Sequence, residues 1–160
     1  MQRRRFVGLS AALCLGSAPL AFAAHPQLCL EGDISAGVPV CLDVEDLLKF
    51  PQVSFETTTI WTEGLHEFSG PSLSSVLAAF EAGPGDLTLS ALDSYSATLR
   101  RSMVDVLSPI IALRLDGQRI ERRNKGPFWL MFPFDSHEKF QTAEYFAVSV
   151  WHLTQITVQN

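Results

Sequence analysis

The sequence predicts an α+β domain, mainly antiparallel or mixed β-sheet with two or three short helices. Segments rich in β-branched and aromatic residues recur from residue 28 to the C-terminus, and turns that contain glycine or proline separate many of them. Two segments in the first half carry helix signals, each with a capping side chain. Beyond residue 86 strand signals dominate, so the architecture is mainly β.

The first residues are predicted to be an export signal. Three arginines at positions 3–5 precede an apolar stretch that is too short and too rich in small residues to span a bilayer. The stretch ends in Ala-Phe-Ala, the small-x-small form that a signal peptidase cuts. Cleavage after Ala23 makes residues 1–23 a signal peptide and leaves residues 24–160 as a single periplasmic domain without membrane insertion. The arginines fit a twin-arginine (Tat) signal only loosely, so the Sec route is favoured.

The exported domain is acidic. All seventeen acidic residues lie beyond residue 23, whereas three of the twelve basic residues belong to the signal. Nine basic and seventeen acidic residues give residues 24–160 a net charge of −8. Such a surface repels phosphate backbones and anionic lipid, so nucleic acids and membrane surfaces are not expected as partners.

Two of the three cysteines, Cys29 and Cys41, remain after cleavage. They flank a polar segment that contains Gly32 and Gly37, and an oxidising compartment favours one structural disulfide between them. The usual loop-entropy estimate for such a bridge is about 3 kcal/mol. A metal pair or a redox couple is disfavoured, because no histidine lies at ligand spacing and there is no Cys-x-x-Cys motif.

Local signals predict the elements up to the second helix. Short strands are predicted over residues 28–30 and 38–42, and Asp43 caps a short helix that runs to Lys49 before Pro51.

A hairpin and a second helix follow. Partly alternating, β-branched residues predict a strand over residues 52–59, which Gly64 is predicted to turn back into residues 65–68. Ser72 caps a helix that a Gly-Pro-Gly sequence ends. The apolar face of this helix contains Leu73, Val76, Leu77 and Phe80.

The remainder is predicted to form strands joined by turns. Asp116-Gly117 is a strong turn signal that leads into residues 118–120. The predicted strands span residues 87–91, 95–99, 110–115, 128–132 and 148–158.

Five segments occur in an order typical of a known family. They are a strand into Trp61, residues 68–73 at the start of a helix, residues 111–117, residues 125–133 and residues 149–153. Together they resemble the molybdopterin-binding oxidoreductase domain of the sulfite oxidase family, in its short bacterial periplasmic form. The resemblance covers about residues 50–160. It implies an α+β fold with a groove for a pterin cofactor, whose molybdenum is bound by one cysteine thiolate.

The sequence departs from this family at the metal ligand. In the family that cysteine lies upstream of the Ser-Gly-x-x-Leu helix start, at a spacing that corresponds to Thr58. A hydroxyl ionises at far higher pH than a thiol and is not the soft ligand that this site uses. The basic residues that follow Pro133 in the family are replaced by a segment with Asp135 and Glu138, each of which would oppose a phosphate by roughly 1 kcal/mol. We therefore expect no cofactor and no catalytic residue.

The resemblance also predicts where a ligand would lie. A groove is expected beside Thr58, with walls formed by Trp61 and by residues near Arg100. Lys125 and His137 are further candidates for the cofactor position. Large aromatic residues at strand positions usually pack in the core, so at least two of the three tryptophans are expected there.

One basic cluster stands out in the acidic chain. Arg119, Arg122 and Arg123, with Lys125 beside them, are candidates to hold an anion. The interpretation that we favour is a polar turn with solvated charges. No metal site is predicted, because the histidines lie in separate segments and nothing in their spacing makes them converge.

These inferences predict a periplasmic domain with the sulfite oxidase fold that has lost its metal-ligating cysteine. Its role would be that of a ligand-binding or accessory module, such as the sensory partner of a membrane signalling or redox protein. The alternative is a molybdopterin-dependent oxidoreductase, or a pterin-binding subunit, with atypical metal ligation. A structural envelope protein is a third possibility and predicts no ligand in the groove.

Overall fold

The computed structural model describes residues 25–160, so the predicted signal peptide and its cleavage site lie outside the described residues. The first elements are β1 (Leu28–Gly32), β2 (Val40–Leu42), α1 (Val44–Leu47), β3 (Gln52–Thr59), β4 (Thr62–Pro71) and α2 (Leu73–Ala79). The later strands are β5 (Leu87–Ala91), β6 (Ser96–Leu99), β7 (Ile110–Ala112), β8 (Arg114–Leu115), β9 (Gln118–Arg119), β10 (Trp129–Met131) and β11 (Leu153–Val158), with α3 (Ala143–Val148) before β11. Short 3-10 turns lie at Arg101–Met103, Arg122–Asn124, Phe134–Ser136 and Glu138–Phe140.

The described strands form three sheets. The largest has the order β2-β1-β11-β5-β6, in which β1 and β11 are parallel and the other pairs antiparallel. A four-stranded antiparallel sheet has the order β3-β4-β8-β9, and β10 pairs with β7 in a third sheet. Mainly antiparallel sheets with three short helices confirm the predicted α+β class. Between residues 25 and 160 no helix has the length and apolar character needed to cross a membrane.

The N-terminal hairpin carries the predicted disulfide. Cys29 and Cys41 are direct partners in the β1–β2 ladder, with their Cα atoms 4.0 Å apart, and their sulfurs are bonded. Alternation along β1 directs Leu28 and Leu30 into the core and Cys29 to the opposite face. The bridge therefore ties the edge strand β2 to its neighbour on the outer face of the sheet.

Capping side chains begin both predicted helices. The Asp43 carboxylate accepts the N–H of Asp46 at 2.9 Å, and the Ser72 hydroxyl accepts the N–H of Ser75 at 3.2 Å. The buried face of α2 consists of Leu73, Val76 and Leu77. The periodicity of the sequence thus placed three residues of the inner face correctly, whereas Phe80 is the C-cap residue of α2 and is only partly buried.

The turn of the β3–β4 hairpin lies at Ile60 and Trp61, so the predicted turn at Gly64 is wrong. The Thr59 hydroxyl accepts the N–H groups of Trp61 (3.1 Å) and Thr62 (3.0 Å). These hydrogen bonds satisfy the donors of the tight turn without a glycine. Gly64 lies instead within β4 with a φ of +84°. As a result, Trp61 stands at the tip of the hairpin.

The predicted strand over residues 148–158 is wrong in its first half. Helix α3 ends at Val148, and β11 begins only at Leu153. A short apolar run does not distinguish a buried helical turn from a buried strand, because all of its side chains can be buried in either structure. Helix α3 brings Phe146 to the tip of the β3–β4 hairpin.

The predicted strand over residues 110–115 is divided at Leu113. Its first part is β7 in the two-stranded sheet, and its second part is β8 in the four-stranded sheet. The predicted turn at Asp116-Gly117 is confirmed between β8 and β9, where both residues have positive φ, 49° and 75°.

One hydrophobic cluster joins the three sheets. It contains fully buried side chains from each of them, among them Leu89, Phe68 and Ile111, together with Trp129 at 1% exposure. Trp61 and Trp151 pack against this cluster and remain partly exposed. The part of the surface near these two tryptophans is where the candidate site lies.

Candidate functional site

Thr58 lies at the end of β3, beside the 3-10 turn at Phe134–Ser136. The Asp135 carboxylate accepts the Thr58 backbone N–H at 2.5 Å and the Thr58 hydroxyl at 2.9 Å. The Asp135 N–H in turn donates to the hydroxyl of the fully buried Thr57 at 3.1 Å. Three hydrogen bonds thus join the end of β3 to this turn, and two of them end on an ionised acceptor.

This arrangement does not fit a thiolate-anchored molybdenum. The groups at Thr58 are a hydroxyl and a carboxylate, both hard oxygen donors, whereas the metal site that the resemblance implies uses a soft sulfur. Both polar hydrogens of Thr58 are already donated to Asp135. Among residues 25–160 the cysteines are Cys29 and Cys41, which are bonded to each other.

Trp61 is the centre of an aromatic cluster. Its ring centroid lies 5.8 Å from those of Trp129 and Trp151, 5.9 Å from that of Phe146 and 6.0 Å from that of Phe134. The edge-to-face and tilted geometries are those that aromatic quadrupoles favour. The cluster therefore holds the hairpin tip against α3 and β10.

A concave cavity of about 480 Å³ opens beside this cluster, and we call it the aromatic groove. Its aromatic walls are Trp61, Tyr95, Phe146 and Trp151. The other lining side chains are aliphatic or small, with one carboxylate, that of Asp93. The Tyr95 hydroxyl donates to the Ala147 carbonyl at 2.8 Å and thereby joins the β5–β6 turn to α3.

Thr58 lines a different depression of about 330 Å³, together with Asp135 and Gln141. Ile60 and Phe146 line both cavities and thus separate Thr58 from the aromatic groove. Thr58 and Trp61 thus line two adjoining cavities, not one common groove as predicted.

Arg100 lines neither of these two cavities. Its guanidinium pairs with Glu144 of α3 at 2.6 Å, and both side chains are about half exposed, at 57% and 50%. This ion pair lies next to the aromatic groove, since Ala143 and Ala147 of the same helix line it. A pair this exposed contributes little to stability.

Lys125 and His137 stand apart from the two cavities. The Lys125 ammonium lies 5.8 Å from the ring centroid of Trp129 and 6.0 Å from that of Trp151, within the range of cation–π contact. His137 Nδ1 accepts the N–H of Lys139 at 3.0 Å and caps the 3-10 turn at Glu138–Phe140. The structure therefore brings Lys125, but not His137, to the aromatic cluster.

Two of the three arginines of the basic cluster, Arg119 and Arg122, line one cavity of about 490 Å³, and Arg123 does not. Arg119 pairs with Glu45, and Arg123 pairs with Glu121 at 2.6 Å. Glu45 and Glu121 line the same cavity as Arg119 and Arg122, and this cavity is separate from the aromatic groove. Acidic residues thus accompany the arginines, as in a polar surface with balanced charges.

His66 makes an ion pair of its own. Its Nδ1 lies 2.7 Å from the Asp116 carboxylate, and its Nε2 lies 2.8 Å from the Glu63 carbonyl. The hydrogen bond to Asp116 raises the pKa of His66 above 6.5, and the same bond lowers the pKa of Asp116 below 3.8. Across residues 25–160 no three His, Cys, Asp or Glu side chains are grouped so as to hold a metal ion.

Several residues of these cavities were not found from the sequence. Asp135 was recognised as an acid near an expected phosphate, but not as the partner of Thr58. Asp93, Tyr95 and Phe146 were not identified at all, because they come from the β5–β6 turn and from a helix that the sequence did not predict. A cap signal does precede α3, since Thr142 occupies its N-cap position and Glu144 its first turn.

Comparison with known proteins identifies the fold. No family model matches the sequence, and no curated protein sequence matches it. Among solved structures, the chain is similar to the sulfane dehydrogenase SoxCD from Paracoccus pantotrophus, with a TM-score of 0.66 and 19% identity over 84% of this chain. The chain therefore shares the fold of this dehydrogenase. The chain spans 38% of the length of that dehydrogenase chain, and the likeness concerns the fold alone.

Proposed function

We propose that this protein is a non-catalytic, periplasmic ligand-binding module with the sulfite oxidase-type fold. The observation that carries the proposal is the contact between Thr58 and Asp135, at the position that the resemblance assigns to the metal-ligating cysteine. As a non-catalytic module, the protein has an accessory or sensory role in this proposal, with a membrane signalling or redox protein as its partner.

The chemistry at Thr58 supports the loss of catalysis. A molybdenum centre bound at Thr58 would have to displace both hydrogen bonds from Thr58 to Asp135. It would then lie beside a carboxylate that has lost both of these donors. A carboxylate beside an anionic, oxygen-rich metal centre repels it. The missing thiol and the additional carboxylate therefore both disfavour the binding of molybdenum.

The aromatic groove supports the uptake of a small molecule. Its volume of about 480 Å³ lies in the range of small-molecule sites, and its walls are mostly apolar with few polar groups. The aromatic cluster holds together the walls formed by the hairpin tip, by α3 and by Trp151, so the cavity is preformed. The disulfide of the N-terminal hairpin supports export to an oxidising compartment.

The rival function is that of a molybdopterin-dependent oxidoreductase or a pterin-binding subunit, and its support is the fold. The two proposals differ in metal content. The decisive experiment is elemental analysis of protein purified natively from the periplasm of a molybdenum-replete host. We expect no stoichiometric molybdenum and no sulfite-oxidising or sulfoxide-reducing activity, whereas about one molybdenum per chain would establish the rival.

Ligand uptake has its own test. Ala147→Trp fills the groove from an exposed position on α3, and Ala78→Trp places the same side chain on the exposed side of α2, outside the groove. Small molecules retained by the native protein are to be measured by native mass spectrometry. We expect the first variant to lose them and the second to keep them. Equal retention by both variants would contradict a site in the groove.

A further inference from the structure

We infer that the ligand of the aromatic groove is a hydrophobic organic cation, an ammonium group carried on an apolar or aromatic body. This inference rests on the proposed function, because it names the ligand class of the groove proposed there. Its two observations are the aromatic walls of the groove and the sign of its one charge.

The aromatic walls favour a cation over a neutral ligand of the same shape. Trp61, Tyr95, Phe146 and Trp151 all line the groove. The faces of such rings carry partial negative charge, and indole attracts a cation best. The Lys125 ammonium lies 6.0 Å from the Trp151 ring centroid but does not line the groove. The attraction of a ligand cation therefore rests on Trp61, Tyr95 and Phe146 as well as on Trp151.

The one charge inside the groove has the matching sign. Among residues 25–160, Asp93 is the only acidic residue that lines the groove, and none of the lining residues is a lysine, an arginine or a histidine. One oxygen of Asp93 accepts the N–H of Tyr95 at 3.1 Å, which holds the carboxylate beside the aromatic wall. An anionic ligand would meet this carboxylate without a counter-charge, whereas an ammonium group would be paired.

The charges around the groove do not reverse this preference. The Arg100 guanidinium on the strand side is paired with Glu144, at 2.6 Å. The whole exported domain carries a net charge of −8, nine basic against seventeen acidic residues, which raises the local concentration of cations near its surface. A phosphate-bearing pterin is disfavoured by the same charge distribution.

The test uses a cation, its neutral isostere and an anion built on the same tert-butylphenyl body, titrated against the full exported domain by tryptophan fluorescence and calorimetry. Phenyltrimethylammonium is the cation, tert-butylbenzene its neutral isostere, and 4-tert-butylbenzoate the anion. We expect the cation to bind about tenfold tighter than the neutral isostere, and the anion to bind most weakly.

Two variants locate the charge effect. Asp93→Asn is expected to weaken binding of the cation about fivefold and to leave the neutral isostere unchanged. Glu67→Gln removes the same charge from an exposed position outside the groove and is expected to leave both affinities unchanged.

The outcomes separate the two proposals. If the neutral isostere binds as tightly as the cation, or if the anion binds tighter, the groove takes ligands but the assignment of a cation is overturned. If none of the three probes binds, or if Ala147→Trp binds them as the native protein does, the proposed ligand-binding function itself fails.

Discussion

Asp135 accepts two hydrogen bonds from Thr58, one from its backbone N–H at 2.5 Å and one from its hydroxyl at 2.9 Å, across 77 positions of sequence. The contact joins an edge strand of the four-stranded sheet to a 3-10 turn. The end of β3 is thus joined to this turn by an internal polar contact.

Replacing Thr58 with cysteine is expected not to restore molybdenum binding. The Asp135 carboxylate would remain beside the new thiol and disfavour its ionisation. The metal content, measured by elemental analysis, should stay far below one per chain, and no sulfite oxidation should appear. Thr58→Ser, which keeps the donor hydroxyl, is the control, and one molybdenum per Thr58→Cys chain would show that the thiol was the only defect.

Asp135→Ala is expected to lower the free energy of unfolding by about 1–2 kcal/mol, because two donors of Thr58 lose their acceptor. Urea denaturation measures this change. Glu138→Ala removes an exposed acid from the same segment and should change stability by less than about 0.5 kcal/mol. Equal effects of the two variants would mean that the contact contributes nothing to stability.

Loss of the disulfide is expected to lower the free energy of unfolding by about 3 kcal/mol, since Cys29 and Cys41 close a short loop between adjacent strands. Denaturation of the Cys29→Ser, Cys41→Ser double variant measures it, and the native protein with added reductant provides the matched comparison. Peptide mapping of periplasmic material without reductant should recover the bridged peptides. Two free thiols there would contradict the pairing.

The His66–Asp116 pair is expected to make stability depend on pH. The pKa of His66 is raised above 6.5, so its contribution is full below pH 6.5 and is lost as the pH rises through the raised value. The pKa of Asp116 is lowered below 3.8, so its contribution is full above pH 3.8 and is lost as the pH falls through the lowered value. The pair therefore stabilises the protein most between pH 3.8 and 6.5.

An NMR titration of the His66 ring tests this directly. The native protein should show a pKa above 6.5, and Asp116→Asn should return it towards that value. The difference in stability between the native protein and His66→Gln should shrink from pH 5.5 to pH 8.5. An unchanged pKa of His66 in Asp116→Asn would show that the carboxylate is not the cause.

Much of the fold was predictable because its signals are local. The caps at Asp43 and Ser72 each act on a backbone donor three residues ahead, and the turn at Asp116-Gly117 depends on the conformations of two adjacent residues. The disulfide was predictable because two cysteines beyond the predicted signal peptide leave one pairing. The absence of a cysteine at Thr58 is likewise a property of the sequence alone.

The candidate site was decided by tertiary structure. Thr58 meets Asp135 across 77 positions, and Tyr95 meets Ala147 across 52, so neither pair leaves a periodic or spacing signal in the chain. The pairs form because packing of the aromatic cluster brings the hairpin tip against α3, and α3 itself lies in a stretch whose apolar run fits helix and strand equally well. Local hydrogen bonding and periodicity therefore determined the elements, whereas burial of side chains distant in sequence determined which of them share a groove.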